Sequence, residues 1–363
     1  MRMCQAFERS GESVHFLHPS YGTFGKRVQW EDVQEYYGLT TRFEIETVPD
    51  LRGYIDSVPQ IGVLSMAVSL SGALTARLLK GELTASDVVY SRNYYGLFFF
   101  NELSRLLPAR KQPTMVFEHH DELSAHLQPR LYRSIDGIVC ITHSLKQFDQ
   151  REYGVPTEKC FVAPDGVDLE QYDSITKSEA RDRLGIPADE KVVMYTGHLY
   201  PSKGVQTLVK AAPDIEATVY IVGGFDTDIE RIKQRVGEPS NVVFTGFVEP
   251  GSIPLYQVAA DVLIAPYTTE ARDSLSPLKL FEYMAAKRPI VASDLDILGE
   301  VLTDGHNSLL VPPESPPELA QNVNKLFSEE SLYESLVENA SSEVRQYTWE
   351  QRAKNIISFI QQL

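Results

Sequence analysis

A chain of 363 residues is long enough for about two domains, each with its own buried core. With 43% hydrophobic and 23% charged residues and no low-complexity tract, its composition is that of a globular protein. The net charge is −16 and no Lys/Arg cluster occurs, which excludes nucleic acid as an expected partner.

The chain opens on "MRMCQAFERSG", a helix pattern in which Met3 and Phe7 share a face and Gly11 is the stop. Candidate strands follow at 13–17, 43–48, 87–92, 114–120, 137–142 and 160–164. Between them, the uncharged run Ile61 to Ala76 is too short and too polar to span a bilayer, and is expected as a buried helix. After the polar segment "DSITKSEARDRLGIPADEK" a second series begins, with strands at 192–197, 217–223, 241–246, 262–267, 289–294 and 308–313. Strands alternating with helical segments imply βαβ units and parallel sheets. The expected fold class is α/β, with two doubly wound Rossmann-like domains and ligands in the crevice beyond the strands' carboxyl ends. "YTWEQRAKNIISFIQQL" reads as a closing helix.

Cys4, Cys140 and Cys160 are odd in number and form no CxxC, so no disulfide framework is expected and a reducing cytoplasm fits. There is no secretory signal. The stretch "FEHHDELSAH" (117–126) invites a metal. Adjacent His119 and His120 point to opposite faces of a strand, however, and H-E-x-x-H is absent, so no metal is expected.

Two segments carry anion-binding chemistry, and a third, a plain turn by itself, is informative through its order and spacing with them. In "DSLSPLKLFEYMAAKRPIVASD" (273–294), Ser276 and Pro277 open a helix whose N-terminus suits phosphate. Lys279 and Glu282 lie one turn apart on it, suited to a diphosphate and a ribose diol, or to a plain surface ion pair. In "YTGHLYPSKG" (195–204) a strand ends at Gly197, and Lys203 and Gly204 open the next helix. In "FVAPDGVDLEQY" (161–172) a strand meets an Asp-Gly turn before the chain crosses into the second domain. No P-loop spacing and no G-x-G-x-x-G occurs, which disfavours a dinucleotide oxidoreductase.

Together with "FTGFV", "DGHNSLLVPP" and "YTWEQRA", these segments resemble the retaining GT-B glycosyltransferases of family four, the large family that includes sucrose synthase-like and bacterial mannosyltransferases. The resemblance implies an acceptor-side domain over 1–172, a nucleotide-sugar domain over 173–346, and a helix over 347–363 that crosses back to the first domain. It implies sugar transfer to an acceptor hydroxyl with retention of configuration. Donor-side residues would be Gly197, His198, Lys203, Gly204, Val248, Asp273, Ser274, Leu278, Lys279 and Glu282. Lys203 and the amides near Leu278 and Lys279 would face the diphosphate, Glu282 the ribose, and Val248 the base. "HD" at a strand end makes His120 and Asp121 the pair at the reacting centre, with His126 incidental. Arg92, at another strand end, is an acceptor contact or a structural arginine. No cofactor or metal is implied. The partners are a nucleotide-sugar donor and a sugar, lipid-linked or small-molecule acceptor, in the cytoplasm or peripherally at the inner face of the membrane. Sugar, base, acceptor identity and oligomeric state stay open.

Three departures qualify the resemblance. His198 replaces the usual Arg, a weaker fixed charge. Ser274 replaces a Glu that bonds a sugar hydroxyl, worth roughly 1.5–3 kcal/mol, with Asp273 as a substitute. The family also opens with a strand and a glycine-rich loop, about twenty residues in size, ahead of the helix that begins here. For the chain as it stands, poor stability or poor activity is therefore expected. The alternatives are a non-catalytic nucleotide-sugar-binding protein and a nucleotide-sugar epimerase, the latter separable by products formed without acceptor.

Overall fold

The structure, a computed structural model, describes residues 1–19, 28–48, 59–108, 111–120, 128–271 and 278–363. The chain forms two compact units: Met1–Pro164 with Glu350–Leu363, and Asp165–Trp349. Its strands are β1 (His15–Pro19), β2 (Glu44–Val48), β3 (Val88–Ser91), β4 (Thr114–His119), β5 (Gly137–Cys140) and β6 (Cys160–Val162) in the first unit. The second holds β7 (Val192–Thr196), β8 (Thr218–Val222), β9 (Val242–Gly246), β10 (Val262–Ala265), β11 (Ile290–Ser293) and β12 (Leu309–Val311). Among the described residues every strand pairing is parallel, and each strand overlaps one of the twelve strands expected from sequence.

The first unit carries its strands in two sheets, β1-β2 and β3-β4-β5-β6. Every residue of β5, and β4 from Met115 onward, is buried, the burial that a strand covered on both faces requires. Phe117, Ile138, Leu131 and Tyr132 form its centre. The opening helix, Arg2–Arg9, ties the two sheets together. Gln5 Oε1 accepts from the amides of Thr40 (2.6 Å) and Thr41 (2.9 Å), while Phe7 packs edge-on against Tyr90 of β3 at 5.6 Å. The closing helix packs on the same unit, with Phe359 stacked on Phe161 at 5.2 Å.

One helix differs from expectation. Residues Pro59–Lys80 form a helix of 22 residues, but it is not buried all round. Ala67, Ser71 and Leu78 face inward, whereas Leu64, Val68 and Leu79 are exposed. A helix laid over a sheet covers one stripe only, and the lack of charge in this run hid which stripe. Among the described residues, no helix is long and apolar enough to cross a membrane.

The second unit is one six-stranded sheet, in the order β12-β11-β10-β7-β8-β9. The chain builds outward from β7 to β9, then restarts at β10 on the other side of β7. Strand order reverses between β7 and β10, so the loops after these two strands flank the crevice where ligands sit in such sheets. Residues Asp165–Asp173 belong to this unit, which moves the expected boundary at 172 to 164. The reason is bonding: the Val167 amide donates to the Tyr347 carbonyl at 2.8 Å, and Tyr172 Oη to Gln257 Oε1 at 2.6 Å.

Candidate active site

The loop after β7 is shaped by two glycines. Gly204 has φ +68°, and a Cβ there would lie 1.6 Å from the Pro266 carbonyl oxygen, so only glycine lets this loop meet the one after β10. Gly197 has φ +134°, and its bare α-carbon leaves room for Lys279 Nζ, which would sit 3.1 Å from a Cβ. Lys203, just before Gly204, projects Nζ over the Tyr267 ring at 4.7 Å. Lys279 Nζ lies over the Tyr195 ring at 3.8 Å and also faces Tyr267 at 5.5 Å. Two ammonium groups therefore share one tyrosine ring.

Burial pulls the Lys203 ammonium below its ordinary pKa. Lys279 is held well below its own, first by burial and then by Lys203, with Glu282 opposing. Lys279 Nζ is buried and, among the described residues, has no hydrogen-bond partner. Crowding two desolvated like charges is unfavourable by itself, and such an arrangement suits an anion. Beside it, Glu282 is positioned by the neutral amide of Gln257, whose Nε2 donates to Glu282 Oε2 (3.1 Å) and to Thr196 Oγ1 (2.9 Å). Tyr283 completes the support, accepting from the Thr196 amide at 3.0 Å.

Gly197, Lys203, Gly204, Lys279 and Glu282 are thus gathered by the fold. Leu278 begins the helix Leu278–Ala285 that carries Lys279 and Glu282. Val248, after β9, is half-buried against the core. His198 is exposed and stacks on Tyr200 at 5.1 Å and 4°, while its carbonyl accepts from Tyr195 Oη at 2.6 Å. Asp273 and Ser274 lie outside the described residues.

In the first unit the hub is Glu118. It lies on β4 on the same face as His120, two residues on. Its Oε1 meets His120 Nε2 at 2.5 Å, Arg92 Nη2 at 2.6 Å and Arg352 Nη2 at 3.0 Å. Burial works to raise this carboxyl, but Arg352, the His120 hydrogen bond and Arg92 outweigh it and hold it well below the usual carboxylate range. Arg352 comes from the closing helix, where its Nε also donates to the Pro164 carbonyl at 2.8 Å. His120 and Arg92, singled out separately in the sequence, therefore share one carboxylate oxygen. Arg92 is both an ion-pair partner and, at 54% side-chain exposure, open to solvent. Asp121 and His126 lie outside the described residues.

His119 does face the other way. It is fully buried, with Nδ1 2.9 Å from Asp149 Oδ2, and Cys140 Sγ donates to the same oxygen at 3.5 Å. These three potential metal ligands lie within 4.8 Å of one another and are bonded among themselves.

Sequence reasoning missed Tyr195, Tyr267 and Gln257 beside the lysines, and Glu118 and Arg352 around His120. The tyrosines read as core residues of apolar runs. Glu118 did leave a signal: a carboxylate inside an otherwise apolar strand needs a buried cation.

Two family models match the chain: "Glycosyltransferase Family 4" over residues 1–171 and "Glycosyl transferases group 1" over residues 190–329. An uncharacterized glycosyltransferase of Methanocaldococcus jannaschii is 28% identical over 232 residues, covering 61% of this chain and 58% of that protein. The chain thus spans less than two thirds of that relative's length. Among solved structures, sucrose-phosphate synthase from Thermosynechococcus elongatus superposes with a TM-score of 0.76 at 19% identity, over 99% of this chain and 91% of that one. The HepE protein of Anabaena, in complex with UDP and glucose, gives 0.72 at 19% identity, over 99% and 95%. Two parallel α/β units, each matched by its own family model, make this chain a member of the GT-B glycosyltransferases of family four.

Proposed function

We propose that this protein transfers a sugar from a nucleotide-sugar to an acceptor hydroxyl with retention of anomeric configuration. The observation that carries this reading is the desolvated pair Lys203 and Lys279 on the Tyr267 ring, with Glu282 held beside it. A diphosphate relieves the repulsion between the lysines, and its affinity rises most when it leaves as a dianionic group. Glu282, acceptor-only when ionised, takes the two ribose hydroxyls. Val248 lies near the base, Leu278 and its amide near the diphosphate, and Asp273, Ser274 and His198 complete the donor side. The complex of HepE with UDP and glucose supports the donor class.

His120 and Asp121 are assigned to the transferred sugar, with Glu118 fixing the His120 ring, and Arg92 to the acceptor. Positive charge at the leaving group comes from the lysines, so the reading needs no cofactor. The work site is the cytoplasm or the inner face of the membrane.

Incubation with a panel of nucleotide-sugars and simple sugar acceptors, followed by NMR of the product, tests the reading. The expected outcome is a product with the donor's anomeric configuration, and release of nucleoside diphosphate that Lys203→Ala abolishes. His120→Ala lowers turnover about a hundredfold with little change in melting temperature, within the range of a positioned proton-transfer or transition-state contact. An inverted product, or turnover indifferent to Lys203, sinks it.

A further inference from the structure

The core of the first unit holds a polar cluster that the sugar-transfer chemistry does not use. His119 ends β4, Cys140 ends β5, and Asp149 sits on the helix His143–Tyr153; all three are fully buried. His119 and Cys140 are register partners across the two strands, so their side chains share one face. Cys160 opens β6, where it pairs with Ile138, two residues before Cys140. It is buried on that same face and sets a second thiol beside the first.

Hydrogen bonding leaves the cluster incomplete. Asp149 Oδ2 takes both bonds, from His119 Nδ1 at 2.9 Å and from Cys140 Sγ at 3.5 Å. Asp149 Oδ1 and His119 Nε2 are buried and, among the described residues, have no hydrogen-bond partner. The rings of Phe117 and Tyr132 pack around His119, with centroids 5.7 Å and 6.1 Å from its own. An ionised carboxyl with one bare oxygen is costly in such a core, and a bound cation offsets that cost.

We propose that His119, Cys140 and Asp149 form a structural Zn²⁺ site in the core of the first unit, with Cys160 as the fourth ligand. Mixed nitrogen, oxygen and sulfur donors suit zinc, whereas Mg²⁺ and Ca²⁺ demand shells of oxygen. Tetrahedral bonds of about 2.0–2.3 Å hold ligand atoms about 3.3–3.8 Å apart. Here one ligand atom from each of the three residues lies within 4.8 Å of the others, with pairs at 2.9 Å and 3.5 Å. On binding, the thiols release their protons to solvent, and His119 ligates through Nδ1 as a neutral imidazole. The ion takes no part in sugar transfer, and its site is independent of the donor reading. It ties the ends of β4, β5 and β6 to the helix behind them, next to His120 in the chain. The other ligands come from beyond the stretch 117–126, whose local pattern argued against a metal.

Metal analysis of the full chain, produced without a histidine tag and supplied with Zn²⁺, tests this. The expected result is about one zinc per chain, with an X-ray absorption shell of sulfur at about 2.3 Å and nitrogen or oxygen at about 2.0–2.2 Å. Refolding with a chelator in place of Zn²⁺ is expected to lower the melting temperature on the order of 10 °C, and added Zn²⁺ to restore it. Cys140→Ser/Cys160→Ser and His119→Ala lose the zinc, whereas Cys4→Ser keeps it. Where these variants fail to fold, the zinc content and the shell of the unsubstituted chain decide. A chain that takes up no zinc, a shell without sulfur, or zinc retained by Cys140→Ser/Cys160→Ser overturns the site. Equal melting temperatures with and without Zn²⁺ also overturn it, and leave a hydrogen-bonded His–Asp–Cys cluster only.

Discussion

The two units solve the same problem with different economy. In the second, six strands form one sheet, and every residue of β7, β10 and β11 is buried. In the first, the strands fall into two sheets, and β1, β2 and β3 are largely half-buried, with Val88 42% exposed. The opening helix joins the two sheets, with Gln5 on the amides of Thr40 and Thr41 and Phe7 on Tyr90, while Arg352 of the closing helix is tied to Glu118 on β4. The second unit is held mainly by apolar burial and has a charge defect at its site. The first is held in part by a charge network that is itself the candidate site.

The largest test of that contrast removes the hub. Glu118→Ala strands Arg352, whose side chain is 2% exposed, and is expected to destabilise the first unit by about 3–5 kcal/mol, read from its unfolding transition. The same group gives a pH signature. Its folded pKa is depressed below an unfolded value of about 4.3, so its contribution is fully present above that pH and is lost as pH falls through the folded value. Glu118→Gln should remove this acid-side loss. If Glu118→Ala lowers the stability of both units equally, the contrast is broken.

Next is Gly204→Ala, which combines positive φ with backbone overlap at Pro266. A loss of about 2–3 kcal/mol confined to the second unit is expected, visible as amide exchange rising in β7 and β10 but not in β4 and β5. Lys279→Met sharpens the contrast in the opposite direction. Removing a buried ammonium that makes no hydrogen bond among the described residues should raise the melting temperature of the second unit while weakening nucleoside diphosphate binding about ten- to a hundredfold. A variant that loses both stability and binding would mean that the lysine is structural. The smallest effect is expected from Arg9→Ala. Its ion pair with Glu350 at 2.6 Å is partly exposed, and its loss should cost less than about 1 kcal/mol.

Most of the scaffold could be read from sequence: all twelve expected strands are present, most plainly the buried ones such as β5, β7, β10 and β11, which are short apolar runs. The donor-side glycines and lysines were legible through their place at strand ends. Gln257, Tyr195 and Tyr267 were not, because their role comes from strand order, which brings β7 beside β10 and leaves no trace in local pattern. Pairing between Glu118 and Arg352 was equally hidden, since the two are separated by 234 residues. The exposure of Leu64 and Val68 was misread because the uncharged run Ile61 to Ala76 has no charged face to mark its exposed side.

The Arg352–Glu118 pair also bears on how the protein is made. The second unit, Asp165–Trp349, is continuous in the chain, whereas the first must wait for Glu350 onward. Translation at about 5–20 residues per second delivers Arg352 on the order of ten to fifty seconds after Glu118. Through that interval β4 carries a carboxylate whose buried cation has not been synthesised. The unit that begins first along the chain is therefore the one completed last.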